Sequence, residues 1–260
     1  LGIKNIFWGV VSFNLESNVM KFTSRVIIKV NSILSYFIPN KIIYCAKSAE
    51  LVHEVVGFDK KKSLSIPIGF ENTELIMDSK KNSLNNSFTL GCIARWDPQK
   101  DHKNLFDALR ILDIKNIDYR CKLIGIGIED TNLSLMELMN ISQVDQNKIE
   151  LLGFIKNIDD VFNTIDLNIL SSAGEAFPNV IGEAMSKGII CIGTDVGDVK
   201  RIISDTGWVV PKNNSNKLAE AIIKARIEFM KKNEWKLKSI NAQKRIRSNY
   251  PINLMIEKYY

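Results

Sequence analysis

The stretch LNILSSAGEAFPNVIGEAMSKG, residues 167–188, predicts a strand, a polar loop and a helix in direct succession. LNIL is nearly all apolar, as in a buried strand. The helix is expected to begin near Pro178, because the fixed φ of proline suits a first helical turn and its missing N–H would have no partner there. Glu175 then lies in the loop and Glu183 on the helix. This unit is typical of a parallel sheet flanked by helices.

The same alternation of strands and helices continues on both sides of this stretch. Strands are predicted at 88–94, 119–124, 149–153, 167–171, 189–193 and 207–210. They are apolar nearly throughout, which is typical of a parallel sheet covered on both faces. Ligands of such sheets bind beyond the carboxyl ends of the strands. The sequence therefore predicts an α/β fold with a binding crevice beside the loop at 171–179.

The front of the chain alternates less regularly. Its predicted elements are strands at 5–13, 42–46 and 63–70 and helices at 20–38 and 48–58. The polar, turn-rich run KKNSLNNS at 80–87 places a domain boundary near residue 86.

The first predicted helix carries an apolar stripe. Its members are Phe22, Val26, Val30, Ile33 and Phe37. We expect this stripe to pack on a sheet, and contact with a membrane surface is the alternative.

The formal charge of +6 favours anionic partners without specifying a function. Residues 1–62 hold nine basic side chains against four acidic ones, with the densest run at Lys60, Lys61 and Lys62. An exposed turn explains this run, and contact with an acidic membrane surface is the alternative. No apolar run approaches the roughly 20 residues that cross a bilayer. No nucleic-acid partner is expected.

Cysteine usage and the start of the chain bear on its location. The cysteines lie far apart without a CxxC pair, at Cys45, Cys92, Cys121 and Cys191. This spacing suits reduced thiols. The chain begins at Leu1 with no visible secretory signal. A cytoplasmic location is expected, and a peripheral position on the inner face of the membrane is the alternative.

The spacing of the two glutamates has a physical interpretation. Open amides and the dipole at a helix start favour a phosphate, by about 0.3–1 kcal/mol for the dipole alone. Glu175 and Glu183 flank this site, and carboxylates accept hydrogen bonds from sugar hydroxyls. A nucleotide sugar is therefore the predicted ligand. No D-x-D pair is present to clamp a metal on its diphosphate, so neither a metal nor a cofactor is expected.

An ordered series of motifs resembles the family-four glycosyltransferases of the GT-B fold, also called glycosyl transferases group 1. The segments are GCIARWDPQKDH at 91–102, GIG at 125–127, LGF at 152–154, residues 171–188 and TDVGD at 194–198. The resemblance implies a complete Rossmann-like donor domain at 87–260, whose final helix near 239–260 returns to the first domain. Residues 1–86 resemble only the second half of the amino-terminal domain, so a truncated member is expected.

The resemblance also implies roles for single residues. Arg95 and Lys100 hold the donor diphosphate, through charge-assisted hydrogen bonds worth about 1.5–3 kcal/mol each that strengthen in the transition state. Glu175 binds the transferred sugar, and Glu183 binds the ribose. Backbone contacts are implied for Gly153 and Phe154 with the base, and for Ala176, Phe177 and Asn179 with sugar and phosphates.

The implied activity is retaining, metal-independent transfer of a hexose to a saccharide or lipid-linked acceptor in polysaccharide biosynthesis. Two alternatives stay open: a sugar-nucleotide epimerase of the same fold and a truncated donor-binding module without turnover. Ala176 stands where the family commonly has Gly, and Ile68 where it has Asn. His102 is expected at a helix start, with a donor-site role as the alternative.

Overall fold

The computed structural model of the protein describes residues 5–11, 22–71 and 88–260. The strands are β1 (Phe7–Val10), β2 (Lys41–Tyr44), β3 (Ser63–Ser65), β4 (Thr89–Ile93), β5 (Arg120–Ile124), β6 (Ile149–Leu151), β7 (Leu167–Leu170), β8 (Ile190–Thr194) and β9 (Trp208–Val210). The α-helices are α1 (Phe22–Leu34), α2 (Lys47–Val56), α3 (His102–Ile114), α4 (Leu133–Ser142), α5 (Ile158–Phe162), α6 (Asn179–Ser186), α7 (Val199–Ile203), α8 (Ser215–Phe229), α9 (Lys232–Asn249) and α10 (Ile252–Tyr259).

β4 to β9 form a parallel sheet, which we call the large sheet, in the order β6-β5-β4-β7-β8-β9. The chain builds outward from β4 to β6, then returns to the other side of β4 and continues outward from β7. The order therefore reverses between β4 and β7, which pair at Leu90↔Leu167 and Gly91↔Asn168. Loops that follow two such strands diverge, and this opens a crevice at the carboxyl ends.

Helices cover both faces of the large sheet. One buried core lies between the sheet and α3, α4 and α8. A second lies between the sheet and α5, α6, α7 and α9, and it continues into the front of the chain through Ile42, Tyr44, Ala49 and Phe70. We call the described residues 5–71 the small unit and residues 88–260 the large unit. The two units share this second core.

The predicted α/β fold with a parallel sheet is confirmed. All six strands of the large sheet lie within two residues of their predicted bounds, because their apolar runs are strong local signals. Pro178 adopts φ −78° and ψ 94° and caps α6, so the helix begins one residue later than proline at a first helical position would place it. β3 ends at Ser65, well before the predicted residue 70. Pro67 has no N–H to continue the ladder.

The small unit contains a parallel sheet in the order β1-β2-β3. The expectation that the apolar stripe of α1 packs on a sheet is wrong within the described residues. The stripe residues Phe22, Val26, Val30, Ile33 and Phe37 are all exposed. The inward face instead carries Ile28 and the buried Ser32, and the buried Ser35 follows directly after the helix.

Small side chains allow α1 to lie close to the rest of the small unit. Ser35 Oγ accepts a hydrogen bond from Asp59 N at 3.0 Å. Lys62 Nζ donates to the carbonyls of Ser35 and Tyr36, at 3.1 and 2.7 Å, near the end of α1. In the basic run at 60–62, Lys62 therefore has structural partners, and Lys60 Nζ lies 3.8 Å from Glu54 Oε2.

The predicted domain boundary near residue 86 lies outside the described residues, in the interval 72–87. Besides the shared core, a backbone bridge connects the small unit to the end of the large unit. Phe70 forms an isolated parallel bridge with Pro251, in which Phe70 N donates to Tyr250 O at 2.8 Å and Ile252 N donates to Phe70 O at 2.9 Å. The final segment is thus two helices, α9 and α10, joined at this bridge.

Within the described residues, no helix combines the length and the apolarity that a membrane crossing requires.

Candidate functional site

The crevice at the β4–β7 switch point receives two loops. Residues 94–101 follow β4 and carry Arg95 and Lys100, whereas residues 171–178 follow β7 and carry Glu175. Because β4 and β7 are neighbours in the large sheet, their carboxyl ends lie side by side. The fold therefore brings together residues that are about 75 positions apart in sequence.

Lys100 and Glu175 form an ion pair across the crevice. Lys100 Nζ lies 2.6 Å from Glu175 Oε1, and the two side chains are only 18% and 12% exposed. Ser172 Oγ donates to the same carboxylate oxygen at 2.7 Å. A pair shielded in this way interacts more strongly than an ion pair on the surface, which is worth about 0–1 kcal/mol. The arrangement places one cation, from the loop at 94–101, against one carboxylate, from the loop at 171–178, where both side chains are largely shielded from solvent.

Further hydrogen bonds hold the two loops in register. Gln99 Nε2 donates to Gly174 O at 2.7 Å, and Ala173 N donates to Gln99 O at 2.8 Å. Ser171 Oγ donates to Lys100 O at 2.9 Å. The position of the Lys100 ammonium is therefore fixed by its backbone as well as by its carboxylate partner.

Arg95 occupies the start of the same loop. Its Nε and Nη2 donate to Asp97 Oδ2 at 3.1 and 2.9 Å, and its side chain is 58% exposed. Burial raises the pKa of Asp97, but the bonds from Gln99 N and Arg95 outweigh it and lower that pKa overall. Arg95 thus extends into solvent from the loop that carries Lys100, and no ion pair joins it to Glu175 within the described residues.

The first amides of α6 have no side-chain cap. Pro178, at the N-cap, provides no side-chain acceptor for the first amides, and Asn179 is exposed. Such amides attract anions. Glu183 lies one turn further along α6 and is half-buried, and burial followed by the charge of Asp159 raises its pKa. Glu183 and Glu175 are therefore in different surroundings.

Gly153 and Phe154 follow β6. Gly153 has φ +61°, its N–H donates to Ile128 O at 2.9 Å, and its carbonyl accepts from Gly125 N at 2.8 Å. These bonds hold the turn that begins at Gly125. Phe154 is 66% exposed. The polar backbone groups of Gly153 are thus engaged within the protein, and Phe154 is the accessible member of the pair.

Phe177 has a structural environment that its sequence position did not indicate. Its side chain is buried and stacks on Phe70 of the small unit, with ring centroids 6.2 Å apart, and it meets Tyr250 edge-on at 5.8 Å. The loop at 171–178 is therefore anchored to the connection between the units.

His102 begins α3, as expected, and its ring is buried beside Trp96 and Phe106, with centroid distances of 5.1 and 6.5 Å. Burial, and then the charge of Lys100, lower the pKa of His102 to about 4. The ring is neutral at neutral pH and contributes no charge to the crevice.

Two further features limit where else a site can lie among the described residues. No group of three or more His, Cys, Asp or Glu side chains gathers there in a metal-binding arrangement. A groove of about 630 Å³ between α8 and α9 is lined by none of the crevice residues, and it mixes cations such as Lys238 and Arg245 with Glu228 and Asp205. Several of these charges already pair, as Lys238 does with Glu228 at 2.6 Å.

Sequence reasoning missed Ser172 and Gln99. Both lie inside the motifs that it identified, at 171–188 and 91–102. Polar residues directly after a buried strand are a usable signal, because a parallel sheet directs all such positions to one edge. The partner of each, however, depends on strand order.

A family model described as glycosyl transferases group 1 matches residues 87–226. This range includes every element from β4 to β9 and α8 as far as Arg226.

Two curated relatives are similar to the chain. The capsular polysaccharide biosynthesis glycosyltransferase CapM of Staphylococcus aureus is 22% identical over 229 residues, which cover 86% of this chain and 58% of CapM. The N-acetyl-alpha-D-glucosaminyl L-malate synthase of Bacillus anthracis is 31% identical over 113 residues, which cover 42% of this chain and 29% of the synthase. The chain thus spans little more than half the length of the first relative.

Solved structures share the fold. Crystal structures of Anabaena Alr3699/HepE in complex with UDP and with UDP-glucose match with TM-scores of 0.81 and 0.80 at 20% identity. The matches cover 98% of this chain and 71% and 70% of those chains.

Proposed function

Because the chain belongs to the glycosyl transferases group 1 family, we propose that it moves a hexose from a nucleotide-diphosphate sugar to a saccharide or lipid-linked acceptor in polysaccharide biosynthesis. The observation that carries this proposal is the shielded Lys100–Glu175 pair at the switch point of the large sheet. A cation for a diphosphate and a carboxylate for sugar hydroxyls meet there at the place where α/β sheets bind nucleotides.

Donor binding exchanges the partners of this pair. The donor diphosphate takes the Lys100 ammonium, and Glu175 turns its carboxylate to the hydroxyls of the transferred sugar. Ser172 continues to donate to Glu175 and keeps it oriented, since that bond already exists at 2.7 Å. The loss of the Lys100–Glu175 ion pair is offset by two new contacts, between Lys100 and the diphosphate and between Glu175 and the sugar. The exchange therefore favours a ligand that has both a diphosphate and a sugar over a bare nucleotide.

Arg95 and Lys100 supply the positive charge that the reaction requires. As the bond to the sugar breaks, negative charge grows on the departing diphosphate, and fixed cations stabilise that charge more strongly in the transition state than in the ground state. Two cations from one loop serve this purpose without a bound metal, so the proposed reaction needs no metal ion and no cofactor.

The remaining contacts follow from the start of α6 and the turn after β6. The open amides at Asn179 and the backbone of Ala176 and Phe177 face the phosphates and the sugar, and Glu183 holds the ribose. The base lies at Gly153 and Phe154, where Phe154 offers the accessible surface.

The stereochemistry, location and acceptor side are parts of the same proposal. Transfer retains the configuration at the sugar carbon, as the resemblance to family-four glycosyltransferases implies. The protein acts in the cytoplasm, at the inner face of the membrane. The exposed stripe on α1 and the exposed Lys60 and Lys61 support contact with an acidic lipid surface.

Calorimetric titration of the chain with UDP, GDP and ADP, and with their sugars, tests the proposal. We expect one nucleotide series to bind, and Lys100→Ala to weaken binding by about 10- to 100-fold, because a charge-assisted contact is worth about 1.5–3 kcal/mol. Lys103→Ala is the matched control, since Lys103 is a nearby exposed lysine that pairs with Asp107 on α3.

Equal binding by the Lys100→Ala protein and the unaltered chain would refute the role of Lys100. Isomerisation of the nucleotide sugar in the absence of any acceptor would identify an epimerase instead. Binding without transfer to saccharide or lipid-linked acceptors would leave a donor-binding module.

A further inference from the structure

α2 begins without a capping side chain of its own. Ala46 has the extended backbone of an N-cap residue, with φ −145° and ψ 146°, but alanine offers no side-chain acceptor for the first amides. Those amides are satisfied from the other unit. Lys47 N donates to Asp198 Oδ2 at 2.8 Å, and Ser48 N donates to Asp198 Oδ1 at 2.9 Å.

Asp198 belongs to the loop that connects β8 to α7 in the large unit. Asp198 is 4% exposed, and both of its carboxylate oxygens accept hydrogen bonds from backbone amides of α2. A cation also lies nearby, since Arg201 Nε is 3.9 Å from Oδ1. A buried carboxylate with two amide donors at a helix start is a strong and directional contact.

The backbone of the same turn contacts the loop at 171–178, which carries Glu175. Asp198 N donates to Ala176 O at 3.0 Å. Gly197 has φ +53°, and a Cβ at this position would lie 2.3 Å from Glu175 O and 2.4 Å from Ala176 O, so only glycine fits. One short turn therefore contacts the loop that carries Glu175 and, through the next side chain, the first turn of α2.

We propose that Asp198 is a positioning residue that fixes the small unit over the loop at 171–178 by capping α2 from the large unit. This inference rests on the proposed transfer function. An acceptor bound on the small unit reaches the sugar held beside Glu175 only when the contact between the two units is in place. Asp198 is part of that contact, with the shared core and the Phe70–Pro251 bridge, and it touches neither substrate.

The alternative is that Asp198 merely stabilises α2. The two roles are separable because a local cap can replace the helix contact alone. Ala46→Ser adds a hydroxyl at the N-cap position, where serine satisfies the first amides of a helix without help from the large unit. Asp195 is exposed in the same loop, so Asp195→Ala is a matched control for loss of an aspartate.

Distances between the units provide the first readout. Spin labels are attached at Val55→Cys on α2 and Leu133→Cys on α4, both of which are highly exposed positions. Pulsed electron paramagnetic resonance then measures the distance between the two labels. The half-buried Cys45 is replaced by Ala in every sample. We expect a narrow distance distribution in the parent protein and in Asp195→Ala, a broad one in Asp198→Ala, and an intermediate one in Asp198→Asn.

The double variant Ala46→Ser with Asp198→Ala distinguishes positioning from stability. We expect it to regain the melting temperature of the parent while its distance distribution stays broad. In a transfer assay, Asp198→Ala should lower kcat by roughly tenfold or more with the donor KM unchanged, because misplaced substrates lose rate and not donor affinity.

A narrow distribution in Asp198→Ala would overturn the proposal, and so would recovery of both stability and distances by Ala46→Ser. The distance measurement does not depend on any ligand. If the unaltered chain bound no nucleoside diphosphate, the proposed function would fail while the distances still decided the role of Asp198.

Discussion

Glu175 and Glu183 are both glutamates of one strand–loop–helix unit, yet their environments differ. Glu175 is paired with Lys100 and receives a hydrogen bond from Ser172. Glu183 is half-buried on α6, with a pKa raised by burial and then by Asp159. The proposed roles, in which Glu175 binds the transferred sugar and Glu183 binds the ribose, can therefore be tested separately.

Replacing each glutamate by glutamine should separate the two ligand parts. Glu183→Gln should weaken a nucleoside diphosphate and its sugar alike, by about tenfold for a lost charge-assisted bond. Glu175→Gln should weaken only the sugar-bearing ligand, and the bare nucleotide should bind unchanged or more tightly because Lys100 loses a competing partner. Calorimetry with both ligands measures this, and equal losses on both ligands in both variants would contradict the division.

The buried His102 predicts a dependence of stability on pH. Its folded pKa is about 4, whereas an unfolded histidine has a pKa of about 6.5. The unfolded chain therefore takes up a proton before the folded chain does, so stability is full above pH 6.5 and falls between about pH 6.5 and 4. The loss attributable to this group is about 3 kcal/mol.

Urea unfolding at pH 7 and pH 5 measures this contribution. His102→Phe should lose less stability than the parent protein over that interval, because the variant has no group to protonate there. The other histidine, His53, is present in both proteins and also has a pKa lowered by burial, so the difference between the two slopes isolates His102. Identical slopes would show that the ring is protonated equally in both states.

At the scale of elements, α6 is held by a contact that an added methyl group would destroy. A Cβ at Gly182 would lie 2.0 Å from Cζ of Phe70. The Phe70 ring cannot withdraw easily, because it stacks on Phe177 and its backbone is bonded to Tyr250 and Ile252. Helix propensity and packing therefore oppose each other at this position.

Gly182→Ala should destabilise the protein by about 1–3 kcal/mol through overpacking, although Ala in place of Gly in a helix ordinarily gains about 1 kcal/mol. Urea unfolding of the variant gives the net effect. In a Phe70→Leu background the same substitution should cost less, since the colliding ring atoms are gone. A cost that is unchanged in that background would place the strain elsewhere.

At the scale of the whole molecule, the two units share a core and meet at three kinds of contact. These are the apolar core through Phe70, the Phe70–Pro251 bridge, and the carboxylate of Asp198 on α2. Each involves the large unit close to the loop at 171–178 or the helix that follows it. A change in the position of one unit relative to the other is therefore expected to shift the loop at 171–178, which carries Glu175.

The charge balance of the site gives a prediction for the complete reaction. Arg95 and Lys100 provide the positive charge proposed to stabilise the leaving diphosphate, so transfer should proceed at an unchanged rate in EDTA. Product formation with EDTA, and with added Mg²⁺ or Mn²⁺, is the measurement. Activity that is lost in EDTA and restored by either ion would replace the two-cation site with a metal site.

Local signals in the sequence were sufficient for the elements of the large sheet. The apolar runs gave β4 to β9, and Pro178 marked the start of α6 to within one residue. The helix α1 was predicted correctly, but the expected packing of its apolar stripe on a sheet was wrong within the described residues, because periodicity shows that a helix has an apolar face and not whether the rest of the chain covers it. The residue set of the crevice was predicted from motifs, and it stays a prediction until a donor is bound.

The sequence by itself determined that this chain forms a parallel α/β sheet and that Glu175 lies in a loop and Glu183 on a helix, because these properties depend on neighbours within a few residues. Only the tertiary structure decided that Lys100 pairs with Glu175, that Phe70 rests on Gly182 and that Asp198 caps α2. Each of these contacts joins residues that are 75 or more positions apart. Such contacts are set by strand order and by packing between units, which no local pattern encodes.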